Sequence, residues 1–289
     1  MISQWPHPWN VSYREALRIQ ERLRANISLT NVIRKVSSVA GADVSYSKRG
    51  GEAAAAIVVF SYPDLDLIDE AFVNGKISYP YIPGLLSFRE APLLLEAFQG
   101  LRRLPDVILY DGQGIAHPRG FGLACHMGVL LNIPSVGCAK KKLVGDFAEV
   151  GLQAGSTTPL TIGGKIVGAV IRTRRGVKPV FVSPGHRVDV ESSIQLVLGT
   201  CRGFRLPEPI RRAHLTVKGK WGEGMKEREK IPTLIQHWIE HNESHGEEYR
   251  RWAAIAREGG LKRVEGLILE AADRIQSANE KLREALEDL

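Results

Sequence analysis

No apolar run in the chain approaches the ~18 residues a membrane-spanning helix needs. The opening MISQWPHPWN also lacks the basic-then-apolar order of a secretion signal. Both absences lead us to expect a cytoplasmic protein with no membrane partner. Cysteine is scarce. Cys125, Cys138 and Cys201 are odd in number and match no metal-ligand spacing, so each is expected to be a small buried hydrophobe rather than a bridge or a ligand. Acidic charge is short in most of the chain: residues 1–219 hold 27 Lys+Arg against 17 Asp+Glu, a net of +10. Residues 220–289 hold 12 against 15, a net of −3. A basic body favours a polyanionic partner, because phosphate neutralisation drives nonspecific nucleic-acid binding. Many basic domains bind no nucleic acid, so charge alone decides nothing.

What is present is ordinary in bulk. With 289 residues, 44% hydrophobic and 25% charged, the chain suits one large domain or a domain plus an appendage. Ser12–Asn26 carries Ala16, Ile19 and Leu23 at helical spacing. Val36–Tyr46, which contains Asp43, Ala53–Phe60 and Leu65–Val73 read as three strands, the first two joined by a turn at Gly50-Gly51. Pro80-Tyr81-Ile82-Pro83-Gly84 is a loop stiffened by two prolines, and a helix begins near Ser87 with Glu90 in its first turn. The apolar strand Val107-Ile108-Leu109 then ends in Asp111, followed by Gly112-Gln113-Gly114 and His117-Pro118-Arg119. A carboxylate at the end of a buried strand beside a glycine-rich loop reads as an active-site edge.

Beyond it come a helix near Phe121–Leu131, a strand Ser135–Cys138 and basic Lys140-Lys141-Lys142. Strands Lys165–Arg172 and Pro179–Ser183, a helix Asp189–Leu198 and a helix near Pro209–Thr216 carrying His214 complete the body. This order implies an α/β mixed sheet with helices on both faces. The first strand can pair in parallel with the fourth through a right-handed crossover, which would set Asp43 beside Asp111. Hard divalent cations take oxygen ligands, usually one or two carboxylates plus phosphate and water. Asp43, Glu90 and Asp111 have that chemistry, and His214 could ligate a metal or orient water. Taken singly, each could equally be a solvated carboxylate or a capping histidine.

The segments GADVSYS, PYIPGLLSFREAP, DGQGIAHPRGFGLACHMG, GCAKKKL, SPGH and EPIRRAH, in this order, resemble the endonuclease V family over about residues 12 to 218. The resemblance implies a ribonuclease H-like fold and Mg²⁺ dependence, with Mn²⁺ able to substitute. It further implies cleavage of the second phosphodiester bond 3′ to a deoxyinosine in DNA. It carries metal binding to Asp43 and Asp111, and metal-site or catalytic roles to Glu90 and His214. Lys140 matches the family lysine beside the scissile phosphate. Tyr81 matches a wedge that enters the base stack, where inserted side chains offset unstacking. Pro83, Gly84, Leu86 and Gly112 match positions lining the pocket for the displaced base. His117 and His186 are expected to organise loops through hydrogen bonds rather than to act directly. Ala42 stands where a β-branched residue is commoner.

Three rival readings remain: another enzyme of the same fold, a non-catalytic nucleic-acid-binding protein, and an inosine-specific endoribonuclease. The first is opposed by PYIP and the glycine-rich segments, the second by the presence of all four candidate metal ligands. The third turns on 2′-OH contacts that a sequence does not reveal.

The family pattern does not explain the chain beyond Lys220. We expect residues 1–220 to be catalytic and 221–289 to be a small all-α appendage. Ile268, Ala271, Ile275, Ala278, Leu282, Ala285 and Leu289 form a heptad stripe, which points to self-association or a protein partner. His237, His241 and His245 recur at a metal-ligand spacing. Gly246 and the polar run around it are expected to end that helix near His245, and a packed face beside Leu234 and Trp238 is preferred to a metal site.

Overall fold

The computed structural model describes residues 6–47, 51–224 and 227–288. The chain forms two compact units, Met1–Trp221 and Gly222–Leu289. The first opens with α1 (Tyr13–Arg24), whose Ser12 cap accepts from the Glu15 N–H and whose Ala16, Ile19 and Leu23 are buried. Strands β1 (Ser38–Tyr46), β2 (Glu52–Ser61) and β3 (Leu67–Lys76) form an antiparallel meander. Gly51 has a positive φ of 79° at the first turn, while Gly50 lies outside the described residues. Next come α2 (Leu86–Gln99), β4 (Val107–Tyr110), α3 (Leu123–Leu131) and β5 (Ser135–Ala139). β4 lies parallel to both β1 and β5, with Ala42 opposite Tyr110 and Tyr110 opposite Gly137.

The sheet continues through β6 (Thr157–Ile162), β7 (Lys165–Ile171) and β8 (Val180–His186), and the unit closes with α4 (Val190–Gly199) and α5 (Glu208–Gly224). All strands form one sheet in the order β3-β2-β1-β4-β5-β8-β7-β6. Successive strand residues face opposite sides. Ala40, Ala42, Ile108 and Tyr110 therefore pack on Ala91 and Leu94 of α2. Val39 and Leu109 pack on Leu196 of α4 and on Ile210 and Ala213 of α5.

One glycine sets how closely the second layer approaches. A Cβ on Gly41 would stand 2.0 Å from the Pro209 carbonyl carbon, so α5 crosses β1 in backbone contact. His214 follows on the same helix.

The body of the sheet matches the expected strands, with differences that have physical causes. β6 was not anticipated. Its TTPLTI contains Pro159, which reads against a strand, but β6 is the sheet edge, where a missing N–H is tolerated. Gly163 and Gly164, with φ of 55° and 77°, make the two-residue turn joining it to β7. Glu90 lies past the first turn of α2, and Cys201 is only half-buried.

The second unit is an antiparallel hairpin of α6 (Glu227–Glu258) and α7 (Lys262–Glu287), turning at Gly260, whose φ is 74°. The expected stop near His245 does not occur. A lone helical glycine costs about 1 kcal/mol, and packing against α7 outweighs it; Gly246 is itself buried. The seam of α7 also differs from the apolar heptad. Ala272 and Asn279 are its buried residues and Ala278 is exposed, while Leu289 lies outside the described residues. Asn279 accepts from the Asn242 amide at 2.8 Å and donates to the Ile239 carbonyl at 3.1 Å. A search for apolar periodicity passes over such a polar seam residue, although a buried asparagine is a known device for fixing helix register. Among the described residues no helix is long and apolar enough to cross a membrane.

Candidate active site

The parallel pairing of β1 with β4 places Asp43 and Asp111 as neighbours just past the matched pair Ala42 and Tyr110. The Asp111 N–H donates to the Ala42 carbonyl at 3.2 Å, which extends the ladder to that point. Glu90 reaches the same edge from α2. Asp43 and Glu90 are 6% and 7% exposed, so neither is a solvated surface carboxylate. Burial first, and then repulsion from Asp111, pushes Asp43 up to about 6. Burial also dominates for Glu90, with Asp43 and Asp111 adding to it, and its carboxyl is pushed up to about 8.

Each carboxylate has one partner. His214 Nδ1 lies 2.8 Å from Asp43 Oδ2. With Asp43 ionised, that nitrogen donates and Nε2 is left as the basic one. The Lys140 ammonium donates to Asp111 Oδ2 at 2.5 Å. Burial alone would lower the lysine, but Asp111 and then Asp43 hold it above its usual value. The Tyr46 hydroxyl donates to Glu90 Oε1 at 2.6 Å, and Arg89 stacks over the Tyr46 ring 4.6 Å from its centre. Tyr46 went unremarked in the sequence, although it sits three residues after Asp43 in the same motif.

Among the described residues no group of three or more His, Cys, Asp and Glu side chains stands arranged to hold a metal as it is. The donor chemistry nonetheless suits a hard cation, which needs only one or two carboxylates. Here Asp43 and Glu90 are buried with Asp111 beside them, and a divalent cation would relieve the burial and repulsion that raise those two.

Tyr81 is 70% exposed on the two-proline loop, whereas Tyr79 just before it is buried. The loop is fastened at Gly84, whose φ is 78°. Its carbonyl accepts from Gln20 Nε2 at 3.0 Å, Arg119 Nη2 at 2.5 Å and His117 Nε2 at 3.1 Å. His117 Nδ1 accepts from the Arg119 N–H at 3.2 Å, so the ring is neutral with its proton on Nε2. Burial, then Arg119, pushes its pKa down to about 4. His117 thus ties the loop after β4 to the loop before α2. Arg119, not singled out in the sequence, belongs to the same fastening.

Pro83 is exposed and Leu86 half-buried at the start of α2, and the Gly112 N–H is turned back onto the Tyr110 carbonyl at 2.8 Å. His186 lies apart from the carboxylates and accepts from the Ser28 N–H at 3.3 Å. Lys140 also lines a cavity of about 410 Å³ with Lys141, Lys142, Arg172, Lys178 and Arg205, together with Phe147, Val150, Pro179, Phe181 and Glu149. Such a basic shelf suits phosphates. His237, His241 and His245 lie on α6 in the other unit.

A mixed sheet with carboxylates at the ends of its central parallel strands is the ribonuclease H-like arrangement, and the class is that of nucleases. The chain belongs to the endonuclease V family, whose profile matches residues 21–215. It is 50% identical over 209 residues to endonuclease V of Dehalococcoides mccartyi strain CBDB1, covering 72% of this chain and 94% of that one. The crystal structure of endonuclease V from Streptomyces avermitilis superposes with a TM-score of 0.72 at 39% identity, over 77% of this chain and 98% of that one. Endonuclease V of Ciona intestinalis, solved with a 24mer DNA containing an inosine followed by a ribo-adenosine, has a TM-score of 0.63 at 30% identity, over 73% of this chain and 98% of that one. Residues 231–289 match a separate domain of unknown function.

Proposed function

We propose that the chain is a cytoplasmic DNA-repair endonuclease that hydrolyses the second phosphodiester bond 3′ to a deoxyinosine, with Mg²⁺ as its metal and Mn²⁺ able to substitute. The observation that carries this reading is the convergence of Asp43, Asp111 and Glu90 on one sheet edge beside Lys140 and His214. Asp43 and Asp111 would hold the cation, with Glu90 and His214 completing its surroundings. Bound there, it would neutralise phosphate charge and lower the pKa of an attacking water.

The chain's own residues supply the rest. His214, oriented by Asp43, offers Nε2 to receive a proton from water. Lys140 offsets charge at the scissile phosphate, and the basic shelf beside it carries the neighbouring backbone. Tyr81 enters the base stack when the deaminated base leaves it. Pro83, Gly84, Leu86 and Gly112 line the receiving pocket. Backbone groups there can separate hypoxanthine from adenine, since an unmatched buried polar group is costly. His117 holds the Gly84 carbonyl and so positions that pocket.

An inosine-specific endoribonuclease is the second reading, favoured by the ribo-adenosine after the inosine in the DNA bound by the Ciona intestinalis relative. The test uses matched labelled DNA and RNA strands, each with one inosine, incubated in EDTA and then with Mg²⁺ or Mn²⁺ restored. We expect metal-dependent cutting of the DNA strand one bond beyond the inosine's 3′ neighbour. Cleavage of RNA alone transfers the assignment to the second reading, and cutting in EDTA overturns the metal's role.

A further inference from the structure

The α6 helix buries one face against α7 and leaves a second face exposed. Ile235, Ile239, Ala253 and Ala256 form the buried face. One position ahead of each, or about 100° around the helix, runs a different stripe. It includes Leu234 at 43%, Trp238 at 48% and Trp252 at 50% exposure, with Tyr249, at 38%, three residues before Trp252. Two tryptophans and a tyrosine half in water on one helix face are unusual for a surface that stays wet.

The order of residues along this stripe says what covers it. Read outward from its midpoint at Glu243, the stripe is close to a palindrome. His241 and His245 come first, with positions that sum to 486, and Trp238 and Tyr249 come next with a sum of 487, one residue out of step. Leu234 and Trp252 follow, and Ile231 and Ile255 end it. Residues with the same sum of positions meet when two copies of one helix pair antiparallel about a two-fold axis. Isoleucine would then face isoleucine, leucine would face tryptophan and histidine would face histidine, with Trp238 and Tyr249 meeting one residue, about 1.5 Å, out of step. The tryptophan and tyrosine rings would alone remove roughly 300 Å² per copy from water. The leucine, isoleucine and histidine layers would bring the pair to the order of 1,000 Å², where specific interfaces begin. Residues 220–289 carry a net charge of −3, which disfavours nucleic acid or an anionic membrane as the occupant.

We infer that the exposed face of α6 is a homodimerisation surface, on which a second copy of the chain packs its own α6 antiparallel with His241 of each copy opposite His245 of the other. The hairpin thus acts as a coupling module that gives each assembly two nuclease units. The inference does not depend on which nucleic acid the enzyme cuts.

Sedimentation velocity of the full-length chain, 31.9 kDa as a monomer, is expected to give twice that mass at micromolar concentration. Trp238→Glu and Trp252→Glu, each on the surface and outside the α7 seam, are expected to give the monomer with unchanged helical circular dichroism. Register is read by oxidative cross-linking. The double variant Leu234→Cys with Trp252→Cys should form a covalent dimer, and each single variant should not, because like positions would stand about 27 Å apart. A wild-type monomer, or dimers that survive both glutamate variants, overturns the inference. Cross-linking by the single variants overturns the antiparallel register.

Discussion

Replacing Glu90 with glutamine should stabilise the metal-free protein while it abolishes cleavage. Glu90 is 7% exposed, and its carboxyl is raised from 4.5 to about 8, chiefly by burial and then by Asp43 and Asp111 against the relief given by Tyr46. A carboxyl raised in the folded state costs nothing below pH 4.5, where folded and unfolded chains are both protonated. Above that pH the unfolded chain ionises and the folded one does not, so stability falls until about pH 8 and then levels. At about 1.4 kcal/mol for each pH unit the full penalty is about 5 kcal/mol, and about 3 kcal/mol at pH 7. Glutamine keeps an oxygen for the Tyr46 hydroxyl and does not titrate. If half the penalty is recovered, Glu90→Gln raises the melting temperature of EDTA-treated protein by about 3–6 °C at pH 7, since 1 kcal/mol moves a domain of this size by about 2–4 °C. The gain should shrink toward pH 5. The difference between variant and wild type is the quantity to read, because His117, lowered to about 4, acts in the opposite direction between pH 6.5 and 4 in both proteins. A variant that melts lower than wild type, or a difference independent of pH from 5 to 8.5, would refute the picture of a strained, proton-holding carboxyl.

Asp43→Ala and Asp111→Ala should each reduce cleavage to background with the fold retained, as judged by circular dichroism; near-wild-type turnover in Mg²⁺ by either would falsify their assignment. Tyr81→Ala should lower the preference for inosine-containing over unmodified duplex by about 5- to 150-fold, the worth of one base–aromatic stack, and an equal loss of binding to both duplexes would mark Tyr81 as structural only. His117→Ala removes the donor to the Gly84 carbonyl and should cost about 1–2 kcal/mol of stability while raising KM more than it lowers kcat; unaltered kinetics would detach it from the pocket. Deleting residues 224–289 should leave inosine-specific cleavage measurable, and a folded but inactive truncation would make the appendage part of the enzyme.

The heart of the site was legible because strand order is a topological property. An antiparallel meander, a helix and a returning strand bring the ends of β1 and β4 together whatever the side chains, so Asp43 and Asp111 could be paired on paper. The partners of those carboxylates were less visible. Tyr46 reaches Glu90 across separate elements, and Arg119 reaches the Gly84 carbonyl through a loop, contacts with no period to detect. Pro159 concealed β6 because edge position is known only once the sheet is assembled. Gly246 misled for a related reason: a glycine reads as a stop until a second helix is packed against it.

The approach of α5 to β1 has a consequence for how this enzyme can vary. Where Gly41 meets Pro209 there is no side chain to compress or trim, so the spacing between helix and sheet is fixed by backbone alone. His214 is reached by counting along α5 from that fixed point. Substitutions between them change surface and packing but not the count. A single inserted residue would swing the imidazole about 100° round the helix and 1.5 Å along it, away from Asp43. This stretch is therefore a ruler, free to change in composition and closed to change in length.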